Sequence, residues 1–206
     1  MYSTDWPQIS TFALKSPHNL YRVGCFVLAT INQHLENVPG VLRIMDEGSS
    51  SKQLSPNTRR GMDALASEAQ ALYDDMCEWA HIVRNATAQD RAFAAEQTIF
   101  RMVQLPGLGI VKSAFYVQLV LGITGCLDRW NLRRAGLDER LFMRVPASAT
   151  ALRARIATYV ATCEALGGSE TLWDAWSTTL SVERPKRWPD AESVSQFHVT
   201  CICGED

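Results

Sequence analysis

Two stretches with apolar residues at helical spacing meet at Leu105-Pro106-Gly107-Leu108-Gly109, which leaves room only for a tight turn. The first runs from Gln89 to Gln104 and is amphipathic. The second, Ile110 to Gly122, is mostly apolar. Pro106 ends the first helix, because its ring carries no N–H and clashes with the preceding turn. Gly107 and Gly109 allow a hairpin that other side chains would block. They also expose backbone N–H groups at the start of the second helix. Unpaired donors and the helix dipole attract an anion there. Lys112 and Ser113 stand in that first turn. The pattern predicts a helix–hairpin–helix over about 93–122 that grips one nucleic-acid phosphate. A plain interhelix turn is the alternative.

The rest of the chain reads as helix too, and the alternation of strands is almost absent. Further helices are expected at Asn19–Glu36, from Thr58 through Tyr73 to about Arg84, at Ser148–Leu166, and at Ser169–Leu180 with Ser169 as its N-cap. Val38-Pro39-Gly40 should break the first of these, and Gly167-Gly168 should stop the third. The polar, Ser-rich stretch 46–57 reads as a flexible loop. The tail Ser193–Cys203 is apolar enough to pack back on the core. The expected class is all-α, a single helical domain over 1–206.

Composition narrows the function. The chain has 206 residues, 47% hydrophobic and 20% charged, in the range of a globular domain. There is no run of eighteen apolar residues for a transmembrane helix and no signal-peptide pattern at MYSTDWPQIS, so a cytoplasmic protein with no membrane partner is expected. The six cysteines are scattered and His18, His34, His81 and His198 share no ligand spacing, so thiols are expected and no metal. The net charge of -2 argues against coating nucleic acid by charge alone. By position it is uneven: residues 101–155 hold nine basic and three acidic groups, while both flanks are net acidic. The hairpin segment carries the positive charge.

The run FAAEQTIFRMVQLPGLGIVKSAFYVQLVLGITGCLDRWN, with an aspartate nineteen residues past Gly109, resembles the helix–hairpin–helix DNA glycosylase superfamily. That resemblance implies a glycosylase-like helical bundle. Leu105, Gly107, Leu108 and Gly109 would then hold DNA backbone, with Asp128 at a flipped base. Bifunctional members place a lysine two residues after the second glycine. Here that residue is Val111, and Lys112 follows one position and about 100° of helix later. It should therefore point elsewhere, so a Schiff-base step is not expected. The chain is more similar to the branch carried by phages that hypermodify thymine. The shared residues are Val111, Lys112, Ser113, Phe115, Gln118, Cys126, Leu127, Asp128 and Asn131, with LWDAWSTTL and DAESVSQFHV downstream. That branch implies an amino-acid:DNA transferase, or α-glutamyl/putrescinyl-thymine pyrophosphorylase, acting on pyrophosphorylated 5-hydroxymethyluracil in DNA. The implied partners are DNA, its modified thymine flipped out, and an amino acid or amine donor. No cofactor is implied.

Such chemistry asks for cations where pyrophosphate leaves and a carboxylate for the proton of the amine. Lys112, Arg129, Arg133 and Arg134 are the candidate cations, and Asp128 with Lys112 the catalytic pair. Lys112, Ser113, Arg133 and Arg134 would also meet DNA backbone. Gln118, Arg129, Trp130 and Asn131 would line the substrate pocket, with Trp130 stacking on the base. Each has a plainer alternative. Asp128 could cap the segment DRWNLRR, Trp130 could be core, Gln118 a satisfied buried amide, and the two arginines solvated. A monofunctional glycosylase and a non-enzymatic DNA-binding module are the rival functions.

Overall fold

The computed structural model describes residues 6–31, 34–48 and 50–204. Among them there are eleven α-helices, one short 3-10 turn and no strand. The helices are α1 (Trp6–Ala13), α2 (Pro17–Ala29), α3 (Val38–Asp46), α4 (Pro56–Ser67), α5 (Ala69–Val83), α6 (Ala88–Met102), α7 (Ile110–Leu121), α8 (Arg129–Arg134), α9 (Ala149–Ala165), α10 (Gly168–Glu183) and α11 (Ala191–Cys203). The all-α class holds, and among the described residues no helix is long and apolar enough to cross a membrane. The described cysteines form no disulfide.

Helix α7 is the axis of the bundle. From Ser113 to Leu121 every side chain is buried, as is Ile110. A helix apolar on all sides has to be wrapped by others. Helices α1, α2, α5 and α6 do this. The α6–α7 pair follows the order expected from sequence. Thr87 and Asp90 form a reciprocal capping box at the start of α6. Gly122, at φ 68°, ends α7 in the left-handed conformation.

Four expectations need correction. The helix expected over Asn19–Glu36 starts at Pro17, capped by the Ser16 hydroxyl, and ends at Ala29. Val38-Pro39-Gly40 does not break a helix but begins one, since proline is tolerated in a first turn that needs no N–H there. The helix expected from Thr58 to Arg84 is two helices, divided at Glu68 (φ -106°, ψ 6°), whose carboxylate is drawn into an ion pair with Arg101 of α6. Ser169 lies inside α10 rather than capping it. Gly167, at φ 97°, takes the cap position. In the stretch expected to be a loop, the described residues between α3 and α4 form turns, and Leu54 is buried against the core.

Two helices hold the hairpin from beneath. Leu105 and Leu108 are buried while Pro106 and Gly107 face solvent, with Gly107 at φ 83°. On α4, Gly61 lies so close that a β-carbon there would stand 2.8 Å from the Pro106 carbonyl oxygen and 3.0 Å from Leu28 of α2. Gly61→Ala therefore has to push the hairpin off α4. We expect it to cost about 1–3 kcal/mol, the usual range for overpacking, read as a fall in the urea midpoint. Gly40→Ala, which meets nothing within 4 Å, is the control.

Candidate active site

A cavity of about 880 Å³ opens beside the hairpin. That falls within the range of ligand sites, roughly 300–1,000 Å³. Gly107 and Gly109 form part of its rim, and Lys112, Phe115 and Gln118 of α7 form a wall. Asp128 to Leu132 form a second wall, and α10 and α11 close the far end with Trp173, Trp176 and His198.

The segment between α7 and α8 places Asp128. Tyr159 of α9 is buried, and its hydroxyl accepts from the Leu127 N–H at 2.7 Å and donates to the Gly125 carbonyl at 2.8 Å. From the other side the Gln118 carbonyl oxygen accepts from the Cys126 N–H at 3.0 Å, while its NH2 donates to the Ser169 carbonyl at 3.1 Å. Asn131 donates to the Cys126 carbonyl at 2.8 Å. Gln118 and Asn131, both expected to meet substrate, thus line the cavity while their amides are engaged in bracing its wall.

Asp128 serves two ends at once. Its Oδ1 accepts from the Asn131 N–H at 2.9 Å and caps α8. The residue also faces the cavity. Desolvation lifts the Asp128 carboxyl above the usual aspartate range, against the pull of its N–H donors and of Lys112. The Lys112 amine moves the other way: burial holds it below the ordinary lysine value. Lys112 donates to the Thr30 hydroxyl at 2.9 Å and lies 5.5 Å from the Phe115 ring centre.

The helical offset predicts that Lys112 points away from the site, and the structure corrects this. It lines the same cavity as Asp128, because the wall of α7 spans Val111, Lys112, Phe115 and Gln118, a face wide enough to absorb the 100° offset. The Lys112 amine is engaged with Thr30 of the neighbouring segment. Ser113 has no exposure at all, so its hydroxyl points into the protein and not toward solvent. Arg129, Arg133 and Arg134 are exposed. Arg133 is ion-paired with Glu139 at 2.8 Å and lies 5.5 Å above the half-buried Trp130 ring. The Cys126 thiol, also in the wall, is pushed up by burial and by Asp128, so it stays protonated.

Sequence reasoning missed the far end. His198, Trp188, Glu36 and Arg184 all line the cavity. Trp173 and Trp176, three apart on one helical face and followed later by Phe197-His198, were the available sign. Comparison with protein-family models, curated proteins and solved structures finds no match.

Asp128→Asn and Asp128→Ala separate the two tasks of this residue. Asparagine caps as well as aspartate, whereas alanine loses about 1 kcal/mol. The folded state binds the Asp128 proton more tightly than the unfolded chain does, so the wild type gains relative stability as pH falls through its raised pKa and loses it as pH rises. Asp128→Asn should be at least as stable as wild type at pH 7, with the advantage shrinking in acid. Asp128→Ala should be less stable than Asp128→Asn at every pH. Chemical denaturation from pH 4 to 8 measures both.

Proposed function

We propose that the chain is a DNA base-modifying transferase that joins an amino acid or amine to a pyrophosphorylated 5-hydroxymethyluracil in DNA. The observation that carries this reading is the pairing of Asp128 and Lys112, shifted in opposite directions, in one cavity whose rim includes Gly107 and Gly109 of the hairpin. The first turn of α7 has no side-chain cap, so its N–H groups suit a backbone phosphate. A base flipped from a strand held there would reach the cavity. The donor nitrogen attacks the methylene carbon, the C–N bond forms, and the C–O bond breaks with its electron pair leaving on pyrophosphate. Asp128 takes the proton lost by nitrogen, for which a raised pKa is better suited than an ordinary one. Arg129 and Arg140, both on the cavity lining, are placed to receive the departing anion.

A DNA glycosylase is the second reading, and the same carboxylate favours it, since beside a flipped nucleotide it would stabilise a cationic sugar. DNA carrying pyrophosphorylated 5-hydroxymethyluracil, incubated with a mixture of amino acids and amines and digested to nucleosides, decides between them. A heavier nucleoside that appears only with an amine, together with released pyrophosphate, is expected. Free base and abasic sites would overturn the transferase reading. Asp128→Asn should lower transfer by about 10²–10⁴-fold. In the wild type, activity should fall on acidification at a pH above the ordinary aspartate range. Replacing Arg133 and Arg134 together with alanine should weaken DNA binding. It should also reduce the slope of log K against log salt, by up to about 0.9 for each phosphate the variant no longer neutralises.

A further inference from the structure

At the far end of the cavity His198 is fully buried and ringed by aromatic side chains. Trp173, Trp176 and Phe26 stand 5.0, 5.2 and 5.3 Å from its ring centre, and Phe197 and Phe115 at 6.1 and 6.4 Å. Its Nδ1 lies 2.8 Å from the Val194 carbonyl oxygen. A carbonyl only accepts, so Nδ1 carries the proton and Nε2 holds a bare lone pair. That Nε2 is buried with no hydrogen-bond partner, although His198 lines the cavity. The Trp188 indole N–H is in the same condition: buried, unpartnered, and on a residue of the same lining. Glu36 Oε2 is also buried and unpartnered on this lining, while Arg184 holds the other oxygen of that carboxylate. A buried polar atom left unmatched costs about 1–3 kcal/mol, and a ring acceptor and a ring donor without partners on one lining point to a ligand that completes them.

We infer that this end of the cavity is a recognition pocket for an imide-type pyrimidine ring, uracil or thymine, in which His198 Nε2 accepts the ring N3–H and the Trp188 N–H donates to a flanking ring carbonyl. The surroundings suit an aromatic ring, because Trp173, Trp176, Phe197 and Phe115 all stand within 6.4 Å of the His198 ring centre. The two unpartnered ring nitrogens select among flat rings: the bare His198 acceptor takes an N–H, and the Trp188 N–H takes a C=O. A cytosine ring in the same pose sets its own N3 lone pair against Nε2. Burial and Lys112 hold the His198 pKa down to about 4, so the acceptor stays bare at neutral pH. This rests on the reading that a base enters the cavity, and not on which reaction follows.

Nucleosides test it without any chemistry. Quenching of intrinsic tryptophan fluorescence is titrated with thymidine, 5-hydroxymethyl-2'-deoxyuridine, N3-methylthymidine and deoxycytidine. The first two should bind saturably. N3-methylthymidine and deoxycytidine should bind at least tenfold more weakly to the wild-type protein. His198→Phe should weaken thymidine to the level of N3-methylthymidine while leaving N3-methylthymidine unchanged, and His198→Gln, which restores an acceptor oxygen, should recover part of the difference. Equal binding of thymidine and N3-methylthymidine overturns the inference, as does no binding of any nucleoside. Transfer on DNA without discrimination at N3 removes this inference and leaves the proposed function standing. Discrimination at N3 without transfer does the reverse.

Discussion

A helix that is apolar on every side has to be central, and most of this structure follows from that one requirement on α7. Helices α1, α2, α5 and α6 surround it. Of the polar groups it carries inward, the Ser113 hydroxyl has no partner and two others are satisfied locally. Gln118 does this by bonding both Cys126 and Ser169, which fastens the segment before α8 to the start of α10. Lys112 does it by reaching Thr30 just past the end of α2. The cavity therefore sits where the central helix gives up full enclosure, between the polar residues near its first turn and the braced segment that ends at Asp128.

The sequence made the helices legible where a local signal sets their ends. The Thr87–Asp90 capping box, Pro106 and Gly122 act within a few residues, and α6 and α7 lie close to where the sequence pattern puts them. It misled where the deciding partner is distant. Glu68 divides what reads as one continuous helix, and the cation it meets, Arg101, is 33 residues away. Val38-Pro39-Gly40 misled for another reason: proline punctuates a chain either by ending a helix or by opening one. For the site, Asp128 was pointed to by the resemblance over one contiguous segment, and its capping role by the sequence that follows it. His198 was not, because Phe26, Phe115, Trp173 and Trp176 reach it from three other helices. No periodicity within one segment records such a cluster.

Asp128 also shows that capping a helix and a raised pKa need not exclude each other. A carboxylate at a helix N-terminus is ordinarily stabilised as an anion by the N–H groups it caps. Here that pull is present, and desolvation still outweighs it. The cap fixes where the carboxylate sits, and the cavity sets its acidity. Lys112 completes the arrangement from the facing helix: its charge is disfavoured by the same burial, and each residue draws the other part of the way back.

The charge distribution gains a sharper meaning from the fold. Of the nine basic residues in 101–155, several are committed within the protein: Arg101 to Glu68 and Asp75, Arg133 to Glu139, Arg155 to the Leu141 carbonyl, and Lys112 to the cavity wall. Arg129, Arg134, Arg140, Arg144 and Arg153 remain exposed, Arg153 lying over the Phe100 ring. Two of them, Arg129 and Arg140, belong to the cavity lining, on the side that carries Asp128. An excess of positive charge spread along a sequence would draw polyanions to the whole molecule. Here two exposed arginines stand at the cavity itself, among the carboxylates Glu36, Asp128 and Glu139 of the same lining. Under the proposed function the hairpin glycines on the same rim would add backbone donors without adding charge, so register along a strand and attraction to it would come from different groups.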